Sequence, residues 1–322
     1  MLAVAFVTWL LGDVLLLIFA AVLLAIGLHA LAILLSRATG LKPGWALTIV
    51  VAAILLLLAL GLVWAGPRLA EEAPQLQHQL LRQVAGLHAW LERSSWGSSM
   101  LRQLPASLGG SADSPDFMPR VSGIAAGALW SAIGAVGTLI LLTAVALYFA
   151  AAPDSYIDGA LRLTPQGRRS RARHILGQVG RSLRSWLAGQ LLDMLVVGVL
   201  IGGGLALLGV PFPFILAFIA ALLNFVPYIG ALAGAAPAIL VAFSQGPQQA
   251  LSVGALFVVV QTLEGNFLSP MIQRRAVDLP PAVTILAQTT FAALFGLPGI
   301  ILATPIAAAI LAALREVTAD AA

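Results

Sequence analysis

The chain has 322 residues, of which 60% are hydrophobic and only 9% charged, with a formal net charge of +4. A soluble domain is about 45–50% apolar and about 25% charged, and its interior could not hide this much apolar surface. Ordinary water-soluble enzymes and nucleic-acid-binding domains are therefore excluded. The absence of cysteine also removes disulfides, thiolate metal sites and thiol nucleophiles.

A spanning helix needs about 20 apolar residues. Residues 2–35 are apolar apart from Asp13 and His29. They far exceed a signal-peptide core of about 7–15 residues and read as retained membrane structure. Two forms fit: a hairpin broken at Gly12-Asp13 or Gly27-Leu28-His29, or one long tilted helix. Trp45 to Trp64 is a cleaner span, with a tryptophan at each end where amphipathic rings settle at the headgroups. Residues 68–120 balance Arg68, Arg82, Arg93, Arg102 and Arg120 against Glu71, Glu72, Glu92, Asp113 and Asp116. Leu76, Leu80, Val84, Leu87 and Leu91 form a helical stripe within this segment, and residues 94–119 read as loop.

Residues 124–151 are the next span. Residues 153–184 then carry Arg162, Arg168, Arg169, Arg171, Arg173, Arg181 and Arg184 against Asp154 and Asp158. Ile175, Leu176, Val179, Leu183, Trp186 and Leu187 share one face. A basic amphipathic helix beside a span is expected to lie in the interface of an anionic leaflet, which makes anionic lipid at Arg168, Arg169, Arg171 and Arg173 an expected partner. A solvated connector is the alternative. Residues 187–208 span again, carrying Asp193.

Apolar pieces then follow at 211–226, 229–243, 250–263, 281–297 and 299–314. They are separated by Gly209-Val-Pro211, Pro227, Gly246-Pro247, Pro270 and Gly296-Leu-Pro298. Pieces this short predict broken or re-entrant helices, which survive at membrane depth only inside protein or against a wet cavity. The last two predict a hairpin.

The expected fold is an all-α, polytopic helical membrane protein of about eight membrane segments. Its parts are N-terminal membrane helices over 1–67, an extracytoplasmic helical insert over 68–120 and a membrane helix over 121–152. A basic amphipathic cytoplasmic segment over 153–186, a C-terminal membrane bundle over 187–315 and a tail over 316–322 complete it. Basic residues favour cytoplasmic loops, so Arg37/Lys42, the 153–184 segment and Arg274-Arg275 are placed inside.

Ionisable residues within the spans are Asp13, Asp193 and Glu264. A charge at the centre of a spanning helix costs about 2.5–3.5 kcal/mol on insertion scales and usually marks a path. Asp13 lies near a segment end and reaches water. Asp193 pairs with Arg184 or caps a polar contact between helices, or serves a path. Gln261 and Glu264 share a face, Gly265 admits a neighbouring backbone and Pro270 ends the helix. Together with Asn266 they read as a polar pocket or proton-carrying site, with plain helix-to-helix hydrogen bonding as the alternative. In Asn224-Phe-Val-Pro227-Tyr228-Ile-Gly230, Pro227 frees the carbonyl of Leu223 and Gly230 permits a bend. Freed carbonyls can coordinate a cation or a solute hydroxyl; a simple loop between short spans is the other reading. No H-E-x-x-H, G-x-S-x-G, P-loop or dinucleotide fingerprint occurs, so no catalytic residue, metal site or cofactor is assigned.

Several motifs occur in a fixed order: G-V-P at 209–211, N-F-V-P-Y-I-G at 224–230, Pro237, Q-x-x-E-G-N-x-x-x-P at 261–270, V-x-L-x-P at 277–281, F-G-x-x-G at 295–299 and A-x-P at 303–305. Their order and spacing resemble the autoinducer-2 exporter family of bacterial membrane proteins. The match is strong over residues 175–315 and the layout is similar from residue 10 onward. The chain departs from the family pattern at Asp278-Leu-Pro-Pro, where a histidine usually precedes the proline, and in lacking a proline in the first hairpin.

The resemblance implies an oligomeric transporter of the bacterial cytoplasmic (inner) membrane. Such proteins export a small signalling solute, and one branch performs sodium(lithium)/proton antiport. It carries motif roles to Asn224, Pro227, Tyr228, Gly230, Gln261, Glu264, Gly265, Asn266 and Pro270. The expected function is a permease or exporter of a small polar solute or monovalent cation, coupled to protons. Glu264 is its responsive group, Gln261, Asn266 and Asn224 line the path, and Asp193 is a second acid. A cation/proton antiporter is the alternative within the class, and a non-transporting membrane scaffold the alternative outside it.

Overall fold

The computed structural model describes residues 11–93, 138, 141–268 and 279–319. Among the described residues every regular element is helical. Helix α1 (Gly12–Thr39) ends at Gly40, whose left-handed φ of 74° lets its N–H return to the Ser36 carbonyl at 2.8 Å. The candidate break at Gly27 does not occur: one helix runs through it, and the glycine admits the Leu187 side chain, which a Cβ would approach to 2.9 Å. His29 lies inside the same helix, its Nδ1 3.0 Å from the Ala150 carbonyl of α3 (Leu141–Ala151). That bond accounts for a polar side chain within an apolar stretch.

Helix α2 (Pro43–Arg93) is apolar over Pro43–Gly61 and continues through Pro67 and Pro74. Its amphipathic extension docks on the rest of the protein: Leu76 is buried, Leu80 packs beside it, and Gln79 Nε2 donates to Ser244 Oγ at 2.9 Å. Helix α4 (Pro153–Leu161) and a 3-10 turn (Gln166–Arg168) lead into α5 (Arg169–Leu207). The basic segment and the following span are one helix of 39 residues, roughly 58 Å long at about 1.5 Å per residue. Composition changes at residue 187, but the backbone hydrogen-bond ladder has no reason to stop there. The C-terminal part of the apolar face is covered by protein, where Leu183 and Trp186 pack with Leu23 and Ile26 of α1, with Phe225 and with Ala309, while Leu176 nearer the basic end is exposed.

Two hairpins follow. Gly209 (φ 68°) and Phe212 (φ 58°) turn the chain into α6 (Pro213–Leu223), which packs antiparallel on α5. The pairings Gly198 with Ala221 and Gly202 with Ala217 fix that direction. The chain reverses at residues 224–228 into α7 (Ile229–Phe243). Here Gly234 lies against Ala220, and Gly230 lies so close to Leu223 that a Cβ would sit 1.8 Å from its carbonyl oxygen. Both ends of this hairpin return to the same level, since Gln245 Nε2 reaches the Gly209 carbonyl at 3.0 Å. With 11 and 15 residues, its arms are about 16 and 22 Å long, short of the ~30 Å of hydrocarbon. Neither arm alone is long enough to cross it.

Helix α8 (Pro247–Leu263) runs back alongside α5, bringing Leu256 onto Gly204, and its last turn widens into a π-helical segment at Glu264–Leu268. The final stretch, Pro281–Ala319, passes by length for one span but folds back at Gly296 (φ 61°, ψ −140°). Helix α9 (281–295) and helix α10 (297–319) lie side by side. Gly299 sits against the Phe291 carbonyl, where a Cβ would be 2.1 Å away, and Gln288 reaches Thr304. The expected C-terminal hairpin is therefore present. Its open end lies near the basic end of α5, where Arg171 donates to the Val317 carbonyl and His174 faces Glu316. The two hairpins thus enter the bundle from opposite ends, and the α6–α7 tip meets the middle of the α9–α10 hairpin, where Gln288 reaches the Pro227 carbonyl.

Candidate functional site

Asp193 lies in the apolar half of α5, one turn beyond Gln190. Both side chains are buried, and both grasp the same residue of the α6–α7 tip. Gln190 Nε2 donates to the Asn224 backbone carbonyl at 2.8 Å, and the Asn224 side-chain amide donates to Asp193 Oδ2 at 2.8 Å. The same Nδ2 lies 3.5 Å from Glu264 Oε1. Glu264 Oε2 accepts from Gln261 Nε2 at 2.7 Å, as the i, i+3 spacing predicts.

Two carboxyl groups are thus gathered around one amide, close enough to act on each other directly. They sit among residues such as Val197 and Val260 that are almost fully buried. Among the described residues, Asp193 Oδ1 is buried without a hydrogen-bond partner. A buried carboxylate oxygen left bare is costly. The partner of Asp193 is Asn224 of the α6–α7 tip, through Oδ2, and not Arg184 of its own helix, which is exposed.

The tip is shaped by its own sequence. Asn224 N–H still reaches the Ala220 carbonyl, closing α6, and Pro227 prevents the helix from continuing. The Leu223 carbonyl, expected to be freed by that proline, accepts from Val226 N–H at 3.0 Å, because the chain tightens into a turn. The carbonyls left for side chains are those of Asn224 and Pro227. Gln190 takes the first and Gln288 the second, at 2.9 Å. Tyr228 adopts φ 64° and ψ −58°, with Ile229 N–H on the Pro227 carbonyl at 2.8 Å. This is the rarer, strained form of γ-turn, and the Tyr228 side chain is half-exposed. Gly230 is needed for the close approach to Leu223 described above.

Of the residues expected at the site, Asp193, Asn224, Gln261 and Glu264 converge. Asn266 does not: it is exposed, and its amide donates back to the Thr262 carbonyl of its own helix. Gly265 has open space around it among the described residues, so no neighbouring backbone uses it. Pro270 lies outside the described residues. Asp13 is exposed at the start of α1. Gln190, Gln288, Thr284 and Thr304 are buried polar groups that the motif reading passed over. The i, i+4 pairing of Thr284 and Gln288 on an apolar helix was the available signal.

The arginines of the basic segment tie α4, the loop after it and α10 to α5. Arg173 pairs with Asp158 of α4, Arg169 Nε donates to the Thr164 carbonyl, and Arg171 reaches α10. A cavity of about 500 Å³ between α5 and α6, lined by Gly198, Gly202, Phe214 and Phe218, is apolar and separate from the acid cluster.

Residues 1–319 match the sequence profile of a family described as AI-2E family transporter. YueF of Bacillus subtilis (strain 168) is 29% identical over 253 residues, 76% of this chain and 69% of its own length. YrrI of the same organism is 38% identical over 143 residues, 44% of this chain and 40% of its own length. YhhT of Escherichia coli (strain K12) is 36% identical over 137 residues, 41% of this chain and 39% of its own length. Each of the three is named "Putative transport protein". The matched stretch thus spans less than half of YrrI and of YhhT.

Proposed function

Because the chain belongs to the AI-2E transporter family, a family of multi-pass membrane transport proteins, we propose that it is a permease carrying a small polar solute past the Asp193–Asn224–Glu264 cluster. One observation carries the reading. Two acids and two amides meet deep in the apolar bundle, where the tip of a short hairpin leaves backbone carbonyls outside the helix ladder. Ionisable groups at that depth commonly mark an ion or solute path, and broken helices are how transporters bring backbone to one.

The two carboxyl groups offer room for one proton or one monovalent cation between them. This supports proton coupling. It also supports the second reading, a sodium(lithium)/proton antiporter, in which the bare Asp193 oxygen faces the cation. An autoinducer-2-like solute, outward movement, a homo-oligomeric state and residence in the bacterial cytoplasmic membrane belong to the same proposal. The basic end of α5, where Arg168 is exposed, faces the anionic inner leaflet.

The test is Glu264→Gln in reconstituted vesicles. The substitution keeps a neutral group of the same shape next to Gln261 and Asn224, so the protein folds, and flux of the transported solute is lost. A panel of small polar solutes, with and without a proton gradient, finds that solute. Sodium-dependent proton release separates the antiporter. Wild-type flux in the variant removes Glu264 from the mechanism.

A further inference from the structure

The two opposed hairpins touch at Gln288. This side chain is 1% exposed. Its Nε2 donates to the Pro227 carbonyl at 2.9 Å and lies 3.5 Å from Thr304 Oγ1. The first acceptor belongs to the tip of the α6–α7 hairpin, and the second to the return helix of Gln288's own hairpin. Among the described residues, α9 and α10 do not otherwise pack against α6 or α7. This amide is a direct polar link between the two hairpins, which also share the apolar cluster where Phe225 and Ala309 flank Trp186.

The tip is a segment that such a contact can control. Pro227 has no N–H to anchor it, and Tyr228 holds a backbone conformation that L-residues rarely adopt (φ 64°). Three residues before Pro227 stands Asn224, the amide around which the acids gather. Shifting Pro227 re-aims Asn224. Thr304 lowers the cost of that shift: a buried amide that loses the Pro227 carbonyl keeps one acceptor, so only one of its two N–H donors is left bare.

We infer that Gln288 is a positioning residue of the transport site: it ties the α9–α10 hairpin to the α6–α7 tip through the Pro227 carbonyl, and falls back on Thr304 when the two separate. The inference deepens the transport reading and rests on it, but the contact itself can be measured without a solute.

The chain has no cysteine, so Val226→Cys, at a side chain only 9% exposed, supplies a single thiol next to Pro227. The full-length protein in vesicles is labelled with a membrane-impermeant maleimide. Three versions carry Gln288, Gln288→Leu or Gln288→Glu. Each rate is divided by that of the Gln288 version at the same pH. This cancels the thiol's own titration and any change at Asp193 and Glu264, the acids that face the tip across Asn224.

Gln288→Leu, which cannot donate, is labelled about tenfold faster. Gln288→Glu is equally fast at about pH 8, where a carboxylate repels the carbonyl. It returns towards the parent rate at about pH 5.5, because burial at this position favours the neutral carboxyl over the charged form and the protonated group donates O–H in place of the amide. Parent-like labelling of both variants overturns the inference. So does fast labelling of Gln288→Glu at both pH values, because packing rather than the hydrogen bond would then be at work. If Gln288→Leu does not fold, the pH response of Gln288→Glu decides alone. Either failure leaves the Glu264→Gln flux result standing.

Discussion

Asn224→Asp changes one atom type at the centre of the site and nothing in its shape. The amide nitrogen, 2.8 Å from Asp193 Oδ2 and 3.5 Å from Glu264 Oε1, becomes a carboxylate oxygen. Two hydrogen bonds to acidic groups disappear, together worth about 3–6 kcal/mol. Fully charged, the new oxygen would repel its neighbours by about 6 and about 5 kcal/mol at those distances with an effective dielectric of about 20. That sum rivals the whole stability of a domain, about 5–15 kcal/mol. The variant therefore binds a proton in the folded state that the unfolded chain releases.

When the folded state holds more protons than the unfolded state, stability falls as pH rises. One extra proton is worth about 1.36 kcal/mol per pH unit. Between about pH 5 and about pH 8 the deficit of Asn224→Asp against the parent thus widens by up to about 4 kcal/mol. Thermal unfolding in detergent micelles at several pH values reads this directly, as a melting-temperature gap of several degrees that closes on acidification. A gap of constant size across that range would refute the reasoning, since residue 224 would then not face two acids.

Gly230→Ala places a methyl group 1.8 Å from the Leu223 carbonyl oxygen. Backbone lies on both sides, so the tip must open, and the expected outcome is loss of monodisperse protein on size-exclusion chromatography. Leu76→Ala removes a buried side chain where α2 docks on α5 to α8. A loss of about 2–5 kcal/mol is expected in thermal unfolding, with flux per folded molecule unchanged. Asn266→Ala leaves vesicle flux near wild type, because that amide bonds only its own helix; a loss comparable to that of Glu264→Gln would bring Asn266 back into the path.

How much of this was legible depends on what leaves a mark in sequence. Asp193 and Glu264 stand out because ionised groups are expensive in hydrocarbon, and Pro227 and Gly230 because they break helices. Those residues delivered most of the acid cluster and the location of the hairpin tip. Where a rule spoke only of permission, the letters alone did not decide. Gly27 permits a break but serves instead to admit Leu187. The basic-to-apolar change near residue 187 resembles a boundary, yet α5 runs through it, because helix propagation responds to backbone geometry and not to polarity.

The glutamines were hidden for another reason. Gln190 and Gln288 each bond a backbone carbonyl, and a carbonyl has no letter of its own. Which carbonyls are free is decided by the turn that Pro227 and Tyr228 actually take. Counting back from the proline pointed to Leu223, while in the tighter turn side chains reach the carbonyls of Asn224 and of Pro227, the second of which also takes the Ile229 N–H. The side chains that answer a broken helix come from α5 and α9, 34 and 61 residues away in the chain. Only the opposed entry of the two hairpins puts them within reach. Sequence could thus reveal the break, while the groups that hold it depend on the tertiary arrangement.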